Sequence, residues 1–300
     1  MNSREQTCAG LAMTASAVMC GLLWWPLKSM QALGLHPLWA TAMAYGVGLV
    51  ATTVYMASAW RSLSTSPALW IVLLAFGSST AAFNWAVTTG DVVRVVFLFY
   101  LMPVWAVLLA RPLLHEALPP RALMQLVLAV AGCSIVLWPE AGGPPLPQSR
   151  EDLLAIGSGF LFALTNVMLR REAKQSGAVR ALAVFCGGAF VAGAAGALLA
   201  CNQAIPLPPS DLGRVVLPGA VLSGILILSN LALLYGATRL PASATAVILV
   251  TEVVIASLSA AAFGAGTLNA HLLVGGALIL AAATAAMLPS VVPPTCLVES

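Results

Sequence analysis

Long apolar runs separated by short polar breaks make up this chain. The runs are apolar on all sides, which marks a helix buried in a large core or in lipid. A bilayer-crossing helix needs about 20 apolar residues. Reading between charges, prolines and glycine-rich breaks predicts ten spans, at about 9–28, 36–57, 68–89, 93–111, 121–138, 152–170, 179–201, 213–235, 242–263 and 269–288. Outer-membrane strands would alternate over roughly 10 residues, and no such alternation runs through these segments. The longest break, PEAGGPPLPQSRE at 139–151, has the Pro and Gly content of a linker. The expected organisation is an all-α integral membrane protein. Spans 1–5 fall in residues 1–140, a linker in 141–151, spans 6–10 in 152–290 and a tail in 291–300. Ala15-Ser16-Ala17 resembles a cleavage site, but only about six apolar residues precede it and a signal peptide needs roughly 7–15. The first run is read as a retained span.

Composition narrows the class. Of the 300 residues 60% are hydrophobic and 8% charged, against about 25% charged in soluble domains. Disorder needs the opposite balance. The net charge of +3 is spread along the chain, which gives no nucleic-acid-binding face. The six cysteines (Cys8, Cys20, Cys133, Cys186, Cys201, Cys296) form no CxxC pair and no zinc spacing with His. No metal site and no cofactor are expected.

Charge sets orientation. With a cytoplasmic N-terminus, nine basic residues lie inside (Arg4, Arg61, Arg111, Arg121, Arg170, Arg171, Lys174, Arg180, Arg239) and four outside (Lys28, Arg94, Arg150, Arg214). The positive-inside rule favours that arrangement and places both termini in the cytoplasm.

The halves resemble one another. Asn84-Trp85-Ala86-Val87 with Gly90 matches Asn230-Leu231-Ala232-Leu233 with Gly236; Leu118, Leu123, Leu128, Ala131 and Pro139 recur as Leu268, Leu273, Leu278, Ala281 and Pro289. Five spans is an odd number, so the second half enters the membrane from the opposite side. The result is a 5+5 inverted repeat, a recurrent plan of secondary transporters.

These stretches resemble the drug/metabolite transporter superfamily, in its ten-helix EamA-type branch. LLYGATRLPASATAVILVTEVV (233–254) resembles that family's span-eight/nine junction. NWAVTTGDVVRVVFLFYLMPVW (84–105), with Pro103 in the family's proline place, resembles the same junction in the first half. HEALPPRALMQLVLAVAGCSIVL (115–137) resembles its Glu-containing turn and fifth span. Within the family the 90–105 stretch looks most like exporters of aromatic and other neutral amino acids. Val253 stands where relatives have proline, Gly266 where an acidic turn residue would fall, and Tyr45 near where many relatives carry Arg. The resemblance implies a cavity lined by spans one, three, four, six, eight and nine, with five and ten peripheral.

Candidate residues follow. Glu252 lies mid-span, where an acidic side chain costs about 2.5–3.5 kcal/mol on translocon scales. It therefore faces the bundle interior, either as a coupling or substrate-amine group or as a hydrogen-bonded strut. Asn84, Asn166 and Asn230 are intramembrane amides that serve a cavity or join helices. Trp24, Trp85 and Tyr100 are the aromatic candidates for a pocket wall. Lys28, Asp91 and Arg94 are candidates for an outer gate, through an Asp91/Arg94 or Asp91/Lys28 pair, or for snorkelling at span ends. Gly77, Gly90 and Gly236 are read as hinges near span ends.

The expected function is export of small neutral metabolites, amino acids above all, by alternating access in a bacterial inner membrane. The partners are a small-molecule substrate and the lipid bilayer, and a monomer is the favoured state. A nucleotide-sugar or phosphorylated-metabolite exchanger of the same superfamily is the alternative, but the predicted spans lack the mid-membrane cation an anion would need. An intramembrane enzyme is the remote alternative: HExxH and paired Asp are missing, and no catalytic residue is assigned.

Overall fold

Without water to bond exposed N–H and C=O groups, an apolar run must satisfy its backbone within itself, and a helix does so. The structure, a computed structural model, describes residues 3–287 apart from 56–58, 116–119, 140–143, 145, 173, 210, 212 and 238–241. All regular elements among them are helical. The first half contains α1 (Ser3–Gly21), α2 (Trp24–Ala32), α3 (Pro37–Tyr55), α4 (Ala59–Thr65), α5 (Pro67–Thr89), α6 (Val92–Phe99), α7 (Met102–Leu114) and α8 (Pro120–Val136). The second contains α9 (Arg150–Arg171), α10 (Gly177–Cys186), a π-helical turn (Gly187–Val191), α11 (Ala192–Cys201), α12 (Gly213–Ala237), α13 (Ala242–Ala262) and α14 (Ala270–Met287).

Among the described residues, six segments are long and apolar enough to cross a membrane: Thr7–Ala32, Pro37–Val54, Pro67–Thr89, Val92–Leu114, Arg150–Arg171 and Gly177–Cys201. Four shorter apolar helical stretches, Met124–Val136, Gly213–Ser229, Thr251–Ala262 and Ala270–Ala282, stand at the places of the other four expected spans.

Three long segments are interrupted, each for a local reason. Pro26 has no N–H for the Leu22 carbonyl, which instead accepts from Trp25 N three residues on. The α1–α2 break results. Pro103 likewise cannot serve the Phe99 carbonyl, and Leu101 N turns back to Leu98 O at 3.3 Å, which separates α6 from α7. The π turn at Gly187–Val191 fits where backbones touch: a Cβ on Gly187 would lie 2.2 Å from Leu73 O, and one on Gly77 would lie 2.2 Å from Gly187 O. Gly77 is therefore a buried contact inside α5, not a span-end hinge.

Packing pairs the halves. α5 runs antiparallel to α9, joined by Ser79 Oγ donating to Ser158 O at 2.8 Å, with Ser66 near Glu172 at one end and Thr89 near Glu151 at the other. α1 packs on α12, joined by Ser16 Oγ donating to Ser229 O at 2.9 Å, and also on α13. α8 lies against α14 through facing glycines, where a Cβ on Gly132 would meet Gly275 O at 2.6 Å. α3 packs on α10, the π turn and α11. The main buried cluster gathers Trp24, Leu27, the valines of α6, Tyr100 and Val253.

Candidate functional site

Glu252 lies on the face of α13 that meets α1. A Cβ on Gly21 would approach the Glu252 carbonyl oxygen to 2.8 Å, and two turns on Ser259 accepts from Trp24 Nε1 at 3.0 Å. The Glu252 side chain is partly buried, and its carboxyl has no hydrogen-bond partner among the described residues. The Gly21 contact puts the neighbouring Cys20 beside Glu252, α13 also packs on α6, and Tyr100 and Cys20 both lie within electrostatic range of the acid. Tyr100 is the residue at which α6 breaks, and Cys20 precedes the break between α1 and α2. Glu252 thus sits level with both interruptions. On its α1 side a small polar set continues: Cys20 Sγ lies 2.8 Å from Ser229 Oγ, which lies 3.1 Å from Ser16 Oγ.

An aromatic wall begins at Tyr100. Its ring stands edge-on to Phe99 at 6.2 Å. From Phe99 the rings run to Phe83 at 4.6 Å and to Phe162 at 5.5 Å, then Phe76 at 6.4 Å and Tyr45 at 5.6 Å. Phe76, Phe83, Phe99 and Phe162 are each partly exposed. One carboxyl beside a phenol and a row of rings can hold a small amphipathic solute.

The other expected residues divide. Trp24 is buried and spent on Ser259, with Phe263 beside it. Asn84 Nδ2 donates to Thr41 Oγ1 at 2.9 Å and so joins α5 to α3. Trp85 packs on a separate apolar cluster with Leu38 and Ala192, edge-on to His36. Asn166 is exposed on α9. The side chain of Asn230, together with Glu116, Arg239 and Cys296, lies outside the described residues. Sequence reasoning passed over Cys20, Ser16, Ser229 and Phe162; Ser16, the one serine of the first apolar run, was an available signal.

At the end of the bundle that holds Lys28, Asp91 and Arg94, polar groups converge. Asp91 caps α6 by accepting from Arg94 N at 3.0 Å. The Arg94 side chain turns away to Asp152, with Nε–Oδ1 at 2.7 Å and Nη2–Oδ2 at 2.9 Å. The ion pair at this end is therefore Arg94–Asp152, not Asp91–Arg94. Ser149 and Asp152 form the capping box of α9, and Gln148 N also donates to Asp152. Lys28 Nζ donates to Gly90 O at 3.4 Å, with Asp91 nearby. A cavity of about 310 Å³ opens beside them, bordered by Asp91, Arg94, Gln148, Thr267, Asn269 and His271 among others.

Comparison with known proteins bears on the first half and on the fold. Residues 8–138 match the model of the EamA-like transporter family. No curated protein matches the chain. One solved structure, described only as a crystal structure of a protein, is 17% identical, covers 92% of this chain and 95% of its own, and superposes with a TM-score of 0.52. At that identity the likeness is one of fold.

Proposed function

We propose that this chain is a secondary transporter of the drug/metabolite transporter superfamily, built as ten spans in a 5+5 inverted repeat with both termini in the cytoplasm of a bacterium. It exports small neutral metabolites, amino acids above all, through one midplane chamber. The observation that carries the reading is Glu252, an acid without a hydrogen-bond partner among the described residues, on an apolar helix and within electrostatic range of Tyr100, where a row of aromatic rings begins. An acid at that depth is costly unless it meets a solute, a proton or water. The family match over 8–138 supports the transporter class. The repeat is supported by the way the helices pair: α1 with α12, and α5 with α9, exchange when each span is renumbered by five.

Phosphorylated solutes fit less well. The described Lys and Arg lie at helix ends, so a phosphate in the chamber would have no cation to meet.

Reconstituted liposomes test the reading. Saturable uptake of at least one radiolabelled uncharged amino acid is expected, steeper with a pH gradient. In Glu252→Gln, gradient-driven accumulation falls by about ten-fold or more, equivalent to about 1.4 kcal/mol. Gradient-independent flux in the parent removes proton coupling. Saturable flux of phosphorylated solutes alone removes the neutral substrate class, and no saturable flux removes the transporter.

A further inference from the structure

The helices around Glu252 form two packed groups. α1, α2, α12 and α13 make one and α5, α6, α7 and α9 the other, and the two meet where α6 packs on α13 and α5 on α2. At the end carrying Lys28 and Asp91, the second group's α5–α6 turn, Gly90–Asp91–Val92, meets the first across a seam. Four bonds cross there. Lys28 Nζ reaches Gly90 O at 3.4 Å, and Val92 N donates to Ala265 O at 3.2 Å. Thr267 then gives two bonds to Asp91 Oδ2, from its N at 2.7 Å and from its Oγ1 at 3.0 Å.

The turn is held ready for those bonds from its own side. Asp91 Oδ1 is committed to capping α6, which leaves Oδ2 aimed across the seam. Arg94 anchors the first turn of α6 to α9 through Asp152, a carboxylate 2% exposed. Gly90 allows close approach to α9, since a Cβ there would lie 2.9 Å from Glu151 Cγ. The cavity of about 310 Å³ borders Asp91, Arg94 and Thr267, so water has access to the Asp91–Thr267 bonds and can replace them when the seam parts.

We propose that the Gly90–Val92 turn is a clasp that shuts one mouth of the Glu252 chamber, with Thr267 as the partner of Asp91 and with Arg94 and Asp152 as positioning residues. The clasp rests on the transporter reading, and it assigns to Asp91 a partner on the α13–α14 connection. Asp91 both caps a helix and spans the seam, so its release is coupled to loosening of α6, whose far end is the Tyr100 break beside Glu252.

Cys20 is a built-in reporter beneath the clasp. With the other cysteines replaced by serine or alanine, the rate at which a membrane-impermeant methanethiosulfonate modifies Cys20 from the Asp91-bearing face is measured in proteoliposomes. A His271→Cys control fixes which face is labelled. Thr267→Val and Arg94→Gln are expected to raise that rate about ten-fold. An Asp91→Cys/Thr267→Cys disulfide is expected to bring it to background and to stop flux, with both restored by reductant. Unchanged rates in the folded single variants, or parental labelling in the cross-linked protein, overturn the clasp. If the single variants fail to fold, the reducible cross-link decides. Failure of flux in every protein, with labelling still governed by the clasp, would strike the transporter reading and leave the clasp standing.

Discussion

A methyl group added at Gly77 would sit 2.2 Å from the Gly187 carbonyl oxygen, and neither backbone can yield without parting α5 from the π turn. Gly77→Ala is expected to cost about 1–3 kcal/mol, as overpacking does. Gly157, inside α9 with nothing within 4 Å of its would-be Cβ, is the control. There the change to Ala is expected to gain about 0.5–1 kcal/mol from helix propensity. Thermal unfolding in detergent, read side by side, shows opposite shifts if the packing is as described. His36 offers a pH-dependent case. It lies between spans, its Nδ1 accepts from Leu38 N at 3.3 Å, and burial lowers its pKa below the usual histidine range. The folded state then binds fewer protons than the unfolded one, so its stability contribution holds at neutral pH. It is lost as pH falls below about 6.5 toward the depressed folded value. A His36→Asn variant should unfold with less dependence on pH over that range. Single residues were also the least legible scale. Glu252 declared itself by its cost in lipid, whereas the exposure of Asn166 and the diversion of Asn84 to Thr41 depend on helix rotation that composition does not encode.

Helices were easier to read than their interruptions. The apolar runs set the span positions because lipid demands length, and the described helices follow them to within a few residues. Pro26 and Pro103 were visible, but the breaks depend on which neighbouring amide takes the freed carbonyl. The π turn was invisible, because it exists to fit Gly77 and Tyr45 on other helices. Asp152 shows the same limit. Its spacing from Ser149 forms a capping box, a local pattern, yet its pairing with Arg94 crosses 58 positions. Removing Arg94 leaves Asp152 buried without its countercharge. Arg94→Gln is expected to cost about 2–3 kcal/mol, and Arg94→Lys to recover only part, since an ammonium cannot reproduce the two-pronged contact. The double variant with Asp152→Asn should lose less than the sum of its parts. Additive losses in chemical denaturation would contradict the pairing. Ser16→Ala should cost about 0.6–1.7 kcal/mol, the range of interhelical hydrogen bonds in lipid.

On the proposed inverted-repeat reading, the whole molecule turns on the opposition of two similar halves. Serine-to-carbonyl bonds at Ser16–Ser229 and Ser79–Ser158 tie each half to the other at matching helix pairs. On the proposed transporter reading, a chamber between the two packed groups opens to one face or the other as one group rocks against the other around a fixed site. That is the central claim, and the thiol of Cys20 reads it most directly. In a protein that keeps this cysteine alone, an impermeant thiol reagent applied to oriented vesicles should modify Cys20 from either face, with substrate slowing both reactions. Modification from one face only, or from neither in a folded protein, would contradict the account.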